Sequence, residues 1–388
     1  MWAELFYFAL LIILFVIGCS LLSVLSKIVG VSISEEAGFS QQLEVLRGIA
    51  AFLVFGAHST MYFGYAPNQV ASGSMGEIGV FLFFMLTGHL FWGQIKARKF
   101  DSNTFFIKRI RRLIPIMLVV ITTVTFIDWI TVGCPIPTWQ QFLALFRNFG
   151  FGFGNVVNST GNVNDVFSKD MYLRINTIWT LRWEWLFYLC MPIFAALGSL
   201  PKITGFAIAI ILMFMDPFMI FQGKTDAVFV IAFWLGALSR SMENYSGRLF
   251  TTLFSRQGSS LFFLIGIFAV GYYLFGGELI RKNIRIPILV FLVFPIFLYF
   301  VASKHYGDRL SWRPLQLMGK ISYSFYLWHL SVNYYVVRVI SSCFDKPQSL
   351  TSFVVSCLAM TIVGLTISIF TYRYIEEPFF KKNKHNTI

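Results

Sequence analysis

Charge is scarce in this chain. Only 13% of its 388 residues are Asp, Glu, Lys or Arg, against 57% hydrophobic and 18% aromatic, and the mean hydropathy is +0.70. A soluble protein of this length cannot hide so much apolar surface, so the soluble classes are excluded and an all-α polytopic membrane protein is expected. Acidic residues are scarcer still, 18 against 31 Lys and Arg, for a net charge of +13. Such an excess can signal nucleic acid, but the basic residues are spread between apolar runs. They read as topology signals and as anchors against anionic lipid, and no nucleic-acid partner is expected. Cysteine chemistry is also missing: the five cysteines, at 19, 134, 190, 343 and 357, show no C-x-x-C spacing. Neither zinc nor a redox pair is indicated, and no metal and no permanently bound cofactor is expected. Cys134 and Cys343 both fall on the predicted outer side, where a disulfide between them could form. Internal repeats and low-complexity linkers are absent as well.

Long apolar runs are what the chain has. They lie near 5–26, 46–63, 76–93, 113–132, 178–200, 203–221, 226–239, 260–276, 285–303, 321–341 and 351–374, the run at 226–239 being short. The first contains Val-Ile-Gly-Cys ending at Cys19, which looks like a lipoprotein cleavage box. Glu4 stands before it, where such signals carry Lys or Arg, so a retained helix is expected. With the loop 94–112 placed in the cytoplasm, 21 of the 31 basic residues fall inside and nine outside, Arg182 lying within a helix. That segregation predicts eleven spans, N-terminus out and C-terminus in, in a bacterial inner membrane. The parts are an extra N-terminal helix (1–30), a membrane domain (40–380) and a basic cytoplasmic tail (381–388), with no appended soluble domain expected. The longest outer segment, 133–177, is rich in Gly and Asn. It reads equally as a contact for a polar polymer and as a flexible connection.

Arg47 and His58 are the most informative pair, eleven positions apart in the apolar run LRGIAAFLVFGAHS. Eleven steps of about 100° bring both side chains to one face of a helix, roughly 16 Å apart along its axis. That is about half the thickness of the hydrocarbon core, so an Arg47 at one membrane surface puts His58 near the midplane. The alternative is a buried His bonded to a neighbouring helix. Thr180, Glu184 and Tyr188 follow at four-residue steps and share a face, and Ser322, Tyr326, His329 and Asn333 form a polar stripe that must face protein or water. Hydroxyls of this kind also join helices, so a structural role stands beside a functional one. The segment FFIKRIRRLIP reads as a short amphipathic helix on the inner surface leading into a span that starts near Pro115. Arg109 and Arg112 share a face there and could grip phosphates, or act only as topology signals. Glu376, near the inner surface, is expected to pair with a basic loop residue.

From about Leu46 to Pro378 the chain resembles the membrane acyltransferase-3 family. The resemblance rests on Arg47 with His58, GVFLFFMLTGHLF, RIRRLIP, WTLRWEWLFYLCMP, GKISYSFYLWH and IEEP in order. Thr87 stands where the family usually has Ser, and the first helix is additional to the family's ten-helix core. The resemblance implies O-acetylation of surface or secreted polysaccharide, such as lipopolysaccharide, capsule or peptidoglycan, with acetyl-CoA as donor entering from the cytoplasm. Arg47, Arg109 and Arg112 would meet the coenzyme's phosphates. His58 would be the general base or the carrier of the acyl group, for which burial favours the needed neutral ring. Glu184 would tune the site, with Tyr188, Ser322, Tyr326 and His329 lining the substrate path. The competing expectation is a transporter, although neither inverted repeats nor helices broken at the midplane are evident.

Overall fold

The computed structural model describes residues 2–33, 41–60, 69–131, 175–197, 227–243, 248–275, 286–303, 312–343 and 349–381, with residues 133, 136 and 139. Among them all regular structure is helical. In chain order the helices are α1 (Trp2–Val29), α2 (Gln41–Ser59), α3 (Gln69–Lys96), α4 (Ser102–Thr131), α5 (Trp179–Leu197), α6 (Ala227–Met242), α7 (Arg248–Leu253) and α8 (Arg256–Phe275). They continue with α9 (Ile286–Ser303), α10 (Arg313–Lys320), α11 (Ser322–Ser342), α12 (Leu350–Thr371), a π-helical turn (Tyr372–Glu376) and α13 (Glu377–Lys381). Ten of these coincide with apolar runs read from the sequence; the run 203–221, most of the segment 133–177, Cys134 and the tail beyond 381 lie outside the described residues.

Among the described residues five helices are long and apolar enough to cross a membrane: α1, α3, α4, α8, and α12 with its continuation to Phe379. The protein is a multi-pass membrane protein. Helices α1 and α8 turn Ile12, Ile13, Val16, Leu264, Ile265 and Phe268 outward, which suits lipid tails and would not suit water. Helices α2, α5 and α11 are long enough but less apolar, because they carry Arg47, Glu184, His329 and their neighbours. The bundle resolves this by burying most of α2 and α11, since a polar group facing hydrocarbon costs several kcal/mol.

Lipid gives no hydrophobic drive between helices, so contact comes from close packing at small residues. Two glycine pairs do this next to the polar centre. Gly88 of α3 lies against the Phe233 backbone of α6, and Gly236 of α6 against the Met85 backbone of α3, leaving no room for a Cβ on either side. Gly48 of α2 meets Leu315 and Gly319 of α10, while Gly319 rests on the Glu44 carbonyl. The second contact fixes the turn of α2 that carries Glu44 and Arg47. On its outer side α1 packs against α12, Gly18 meeting Leu365, and Tyr7 donates to the Gly56 carbonyl of α2 at 2.5 Å.

The FFIKRIRRLIP segment is not a separate surface helix. It is the first part of α4, which continues through Pro115 to Thr131. Proline removes one backbone donor, and membrane helices tolerate this when neighbours pack against the freed carbonyl. Asp101 starts α4 by accepting the Thr104 N–H at 2.8 Å, and its bonds from Thr104 hold its carboxyl below the ordinary carboxylate range. The effect is to aim Arg109 and Arg112 from a rigid helix into the bundle.

Replacing Gly236 by Leu should force α3 and α6 apart at a backbone-to-backbone contact. A loss of about 1–3 kcal/mol or more is expected, read as a lowered unfolding temperature in detergent. An unchanged melting curve would mean the contact does not hold the pair together.

Candidate active site

A cavity of about 560 Å³ opens between α2, α3, α4, α5 and α11. Exposed Gln94, Ala97 and Lys99 mark its mouth, beside the short link between α3 and α4. From Gln94 inward to Val80 it follows α3 for roughly 21 Å, and at the inner end it reaches Thr180 and Tyr326. Arg47, Arg109, Arg112, Glu184, Tyr188, Ser322 and Tyr326 all line it. Seven of the nine residues singled out from sequence therefore share one cavity wall. His58 and His329 do not line it.

The lining is ordered by charge. Near the mouth half Arg47 pairs with Glu44 at 3.5 Å. Arg109 lies over the Phe91 ring at 5.0 Å and interacts electrostatically with Tyr188, whose hydroxyl donates to the Glu184 carboxylate. This guanidinium–phenol–carboxylate chain works because Tyr188 and Glu184 are one turn apart on α5, and because α4 lies alongside. Arg112 and Arg47 face Glu376 electrostatically, and Glu376 accepts from Ser324 at 2.7 Å. The expected partner of Glu376 on a basic loop is thus replaced by helix-borne guanidiniums and a hydroxyl of α11. A π-helical turn reaches Glu376, the usual device by which a helix offsets one side chain at a functional position. Tyr323 donates to the Leu113 carbonyl at 3.0 Å, tying α11 to the arginine-bearing turn of α4.

At the inner end the groups are neutral. The Tyr326 hydroxyl meets Thr180 Oγ1 at 2.9 Å, and Thr180 donates onward to the Thr177 carbonyl at 3.0 Å. His329 lies three residues beyond Tyr326. Its Nδ1 is 2.6 Å from the Tyr326 carbonyl, and its Nε2 is 3.0 Å from Nδ1 of His58. His329 is fully buried, whereas His58 is partly exposed. So the α2 histidine is bonded to a neighbouring helix and also sits one residue step from the cavity, with Tyr326 common to both. Asn333, one turn further along α11, is buried with neither amide atom bonded among the described residues.

A family model described as an acyltransferase domain matches residues 40–373. The chain belongs to the acyltransferase-3 family. Among curated relatives, the Bacillus subtilis protein named "Putative peptidoglycan O-acetyltransferase YrhL" is 24% identical over 380 residues, 87% of this chain and 54% of that protein. The O-acetyltransferase OatA of Staphylococcus aureus is 27% identical over 381 residues, 87% of this chain and 57% of that protein. The chain therefore spans a little over half the length of the relatives it matches. No solved structure matches it significantly. The matched region begins after α1.

This acyltransferase has a further histidine, buried like His329, that the motifs passed over. His89 of α3 lines the cavity, bonds Ser239 at 2.8 Å through Nδ1 and lies 3.9 Å from Glu243, which pairs with Arg240 at 2.5 Å. The signal was present: an ionisable side chain inside the apolar run FLFFMLTGHLF. Its partners on α6 were not visible, being some 150 positions away.

Glu376→Ala should leave Ser324 and the facing guanidiniums without their acceptor, at a cost of about 1–3 kcal/mol. Glu376→Gln keeps an oxygen for Ser324 and should cost less. Thermal unfolding of the two variants in detergent checks the order; equal melting temperatures for both and for the parent would remove the structural role.

Proposed function

We propose that this chain is a membrane O-acyltransferase that moves an acetyl group from cytoplasmic acetyl-CoA to a hydroxyl of an extracytoplasmic polysaccharide. The observation that carries the reading is the sorting of one cavity: four guanidiniums (Arg47, Arg109, Arg112 and Arg240) toward the mouth, neutral hydroxyls at the inner end, and the His58–His329 pair next to those hydroxyls. Coenzyme A has this polarity. Its phosphates would stay with Arg47, Arg109 and Arg112, where planar donors suit them. Its pantetheine arm and thioester are neutral and can enter the deeper, less polar part without a charge penalty. The excess of Lys and Arg on the side of the α3–α4 link supports a cytoplasmic mouth. The names of the relatives favour a glycan acceptor, and YrhL's name favours peptidoglycan among them.

In the reaction His58 takes the proton of the acceptor hydroxyl as its oxygen bonds to the acyl carbon. The carbon–sulfur bond then breaks, and the proton passes to the departing thiolate. Base catalysis of this kind contributes about 10²–10⁴-fold. The same imidazole could instead carry the acyl group between the two faces. Glu184 holds Tyr188 and, through it, Arg109, so its part is to keep the donor's cationic cradle in place.

Vesicles containing the full chain, given acetyl-labelled coenzyme A on the cytoplasmic side and peptidoglycan fragments on the other, should transfer label to the glycan. His58→Ala should lower transfer by at least about 10²-fold with the protein still monodisperse in detergent. Full activity of that variant would end the role of His58. Arg109→Ala should chiefly raise the KM for the donor, and a fall in kcat alone would contradict its placement on the phosphates.

A further inference from the structure

The two hydrogen bonds of His329 decide which nitrogen of His58 can react. A carbonyl oxygen only accepts, so the 2.6 Å contact between Nδ1 of His329 and the Tyr326 carbonyl requires a proton on that Nδ1. In a neutral ring the other nitrogen, Nε2, is then a bare lone pair. It lies 3.0 Å from Nδ1 of His58, so the proton in that contact belongs to His58 Nδ1. With Nδ1 of His58 protonated, its Nε2 is left unprotonated.

Building on the reading of His58 as base or acyl carrier, we propose that His329 is a positioning residue that sets the His58 tautomer, making Nε2 of His58 the reacting atom. The Tyr326 backbone carbonyl is the fixed end of the chain, because a peptide oxygen cannot change its role. His329 relays that polarity across the helix interface from α11 to α2. When Nε2 of His58 takes a proton from an acceptor hydroxyl, the positive charge is stabilised by the His329 lone pair already bonded to Nδ1. The step moves one proton and leaves the other two ring protons in place. His329 is too deeply buried to meet substrate itself, so it acts through His58. A merely structural His329 would serve equally well with the opposite tautomer. Its bond to a backbone carbonyl excludes that choice.

The test reads the tautomers directly. The chain has only five histidines, so the full-length protein labelled with ¹⁵N-histidine in lipid nanodiscs gives few ring signals, assignable with single His→Gln variants. Long-range ¹H–¹⁵N correlation should find both His58 and His329 protonated at Nδ1 and bare at Nε2, the form less favoured in water. A proton on Nε2 of His58 would overturn the proposal whatever the activity. In the vesicle assay His329→Leu, which removes the acceptor, should lower kcat by about 10²-fold or more with the donor KM little changed. His329→Gln can offer its amide oxygen where Nε2 was, and should recover activity to within about 10-fold of the parent. Equal activity of His329→Leu and the parent would overturn the role. If His58→Ala is inactive while His58 proves protonated at Nε2, the acyltransfer reading stands and the tautomer proposal falls; if His58→Ala is active, both fall.

Discussion

One helix holds the two ends of the site at a fixed separation. Arg47 and His58 both belong to α2, and a continuous helix between them leaves no freedom: about 16 Å of axis on a common face. Everything else is arranged around that rod. α10 presses its Gly319 onto the Glu44 turn, α3 lies alongside, α11 supplies a histidine to the far end, and Tyr7 of α1 reaches the Gly56 carbonyl. Contacts of this kind must come from close backbone approach, because lipid tails reward apolar burial no more than a neighbouring helix does. A small outward shift of α2 would separate Arg47 from the other guanidiniums and His58 from His329 together.

The ordering of polarity along the cavity follows from the cost of charge at depth. A buried ion needs partners, and the partners found here grow less polar inward. Carboxylates of Glu44, Glu184 and Glu376 stand among the guanidiniums near the mouth half, with Tyr188 linking Arg109 to Glu184. At Tyr326 and His329 the bonded groups are hydroxyls, a backbone carbonyl and two imidazoles. A donor with a charged head and a neutral reactive end matches this gradient without any ion having to travel inward. The His89–Ser239–Glu243–Arg240 group continues the charged zone along α3 and α6.

Helical periodicity is a statement about one element, and what it could say was visible in the residues. It put Arg47 with His58, Glu184 with Tyr188 and Arg109 with Arg112, each on a shared face. Apolar runs located the helices, and the scarcity of charge made the class plain. Partners on other helices carry no such local trace. His58 meets His329 across 271 positions, Tyr326 meets Thr180 across 146, and Ser324 meets Glu376 across 52. The stripe on α11 announced that some polar surface faced it without saying which. Pro115 misled in the other direction: proline usually marks a helix boundary, yet in a packed membrane helix the lost bond is tolerated and α4 runs on.

Tyr326 joins the two halves through chemically separate parts of one residue. Its hydroxyl, bonded to Thr180, stands at the inner end of the cavity, and its backbone carbonyl holds His329. Tyr326 lines the cavity and the two imidazoles do not, so the ring stands between the cavity and the histidines. Turning the ring aside breaks one neutral hydroxyl–hydroxyl bond, a net cost of about 1 kcal/mol, and gives up its ring contacts with Phe83 and His329. The carbonyl belongs to the helix and stays where it is when the ring moves. The backbone bond that orients His329 is therefore separate from the hydroxyl bond at the inner end of the cavity, although the Tyr326 and His329 rings pack 5.5 Å apart.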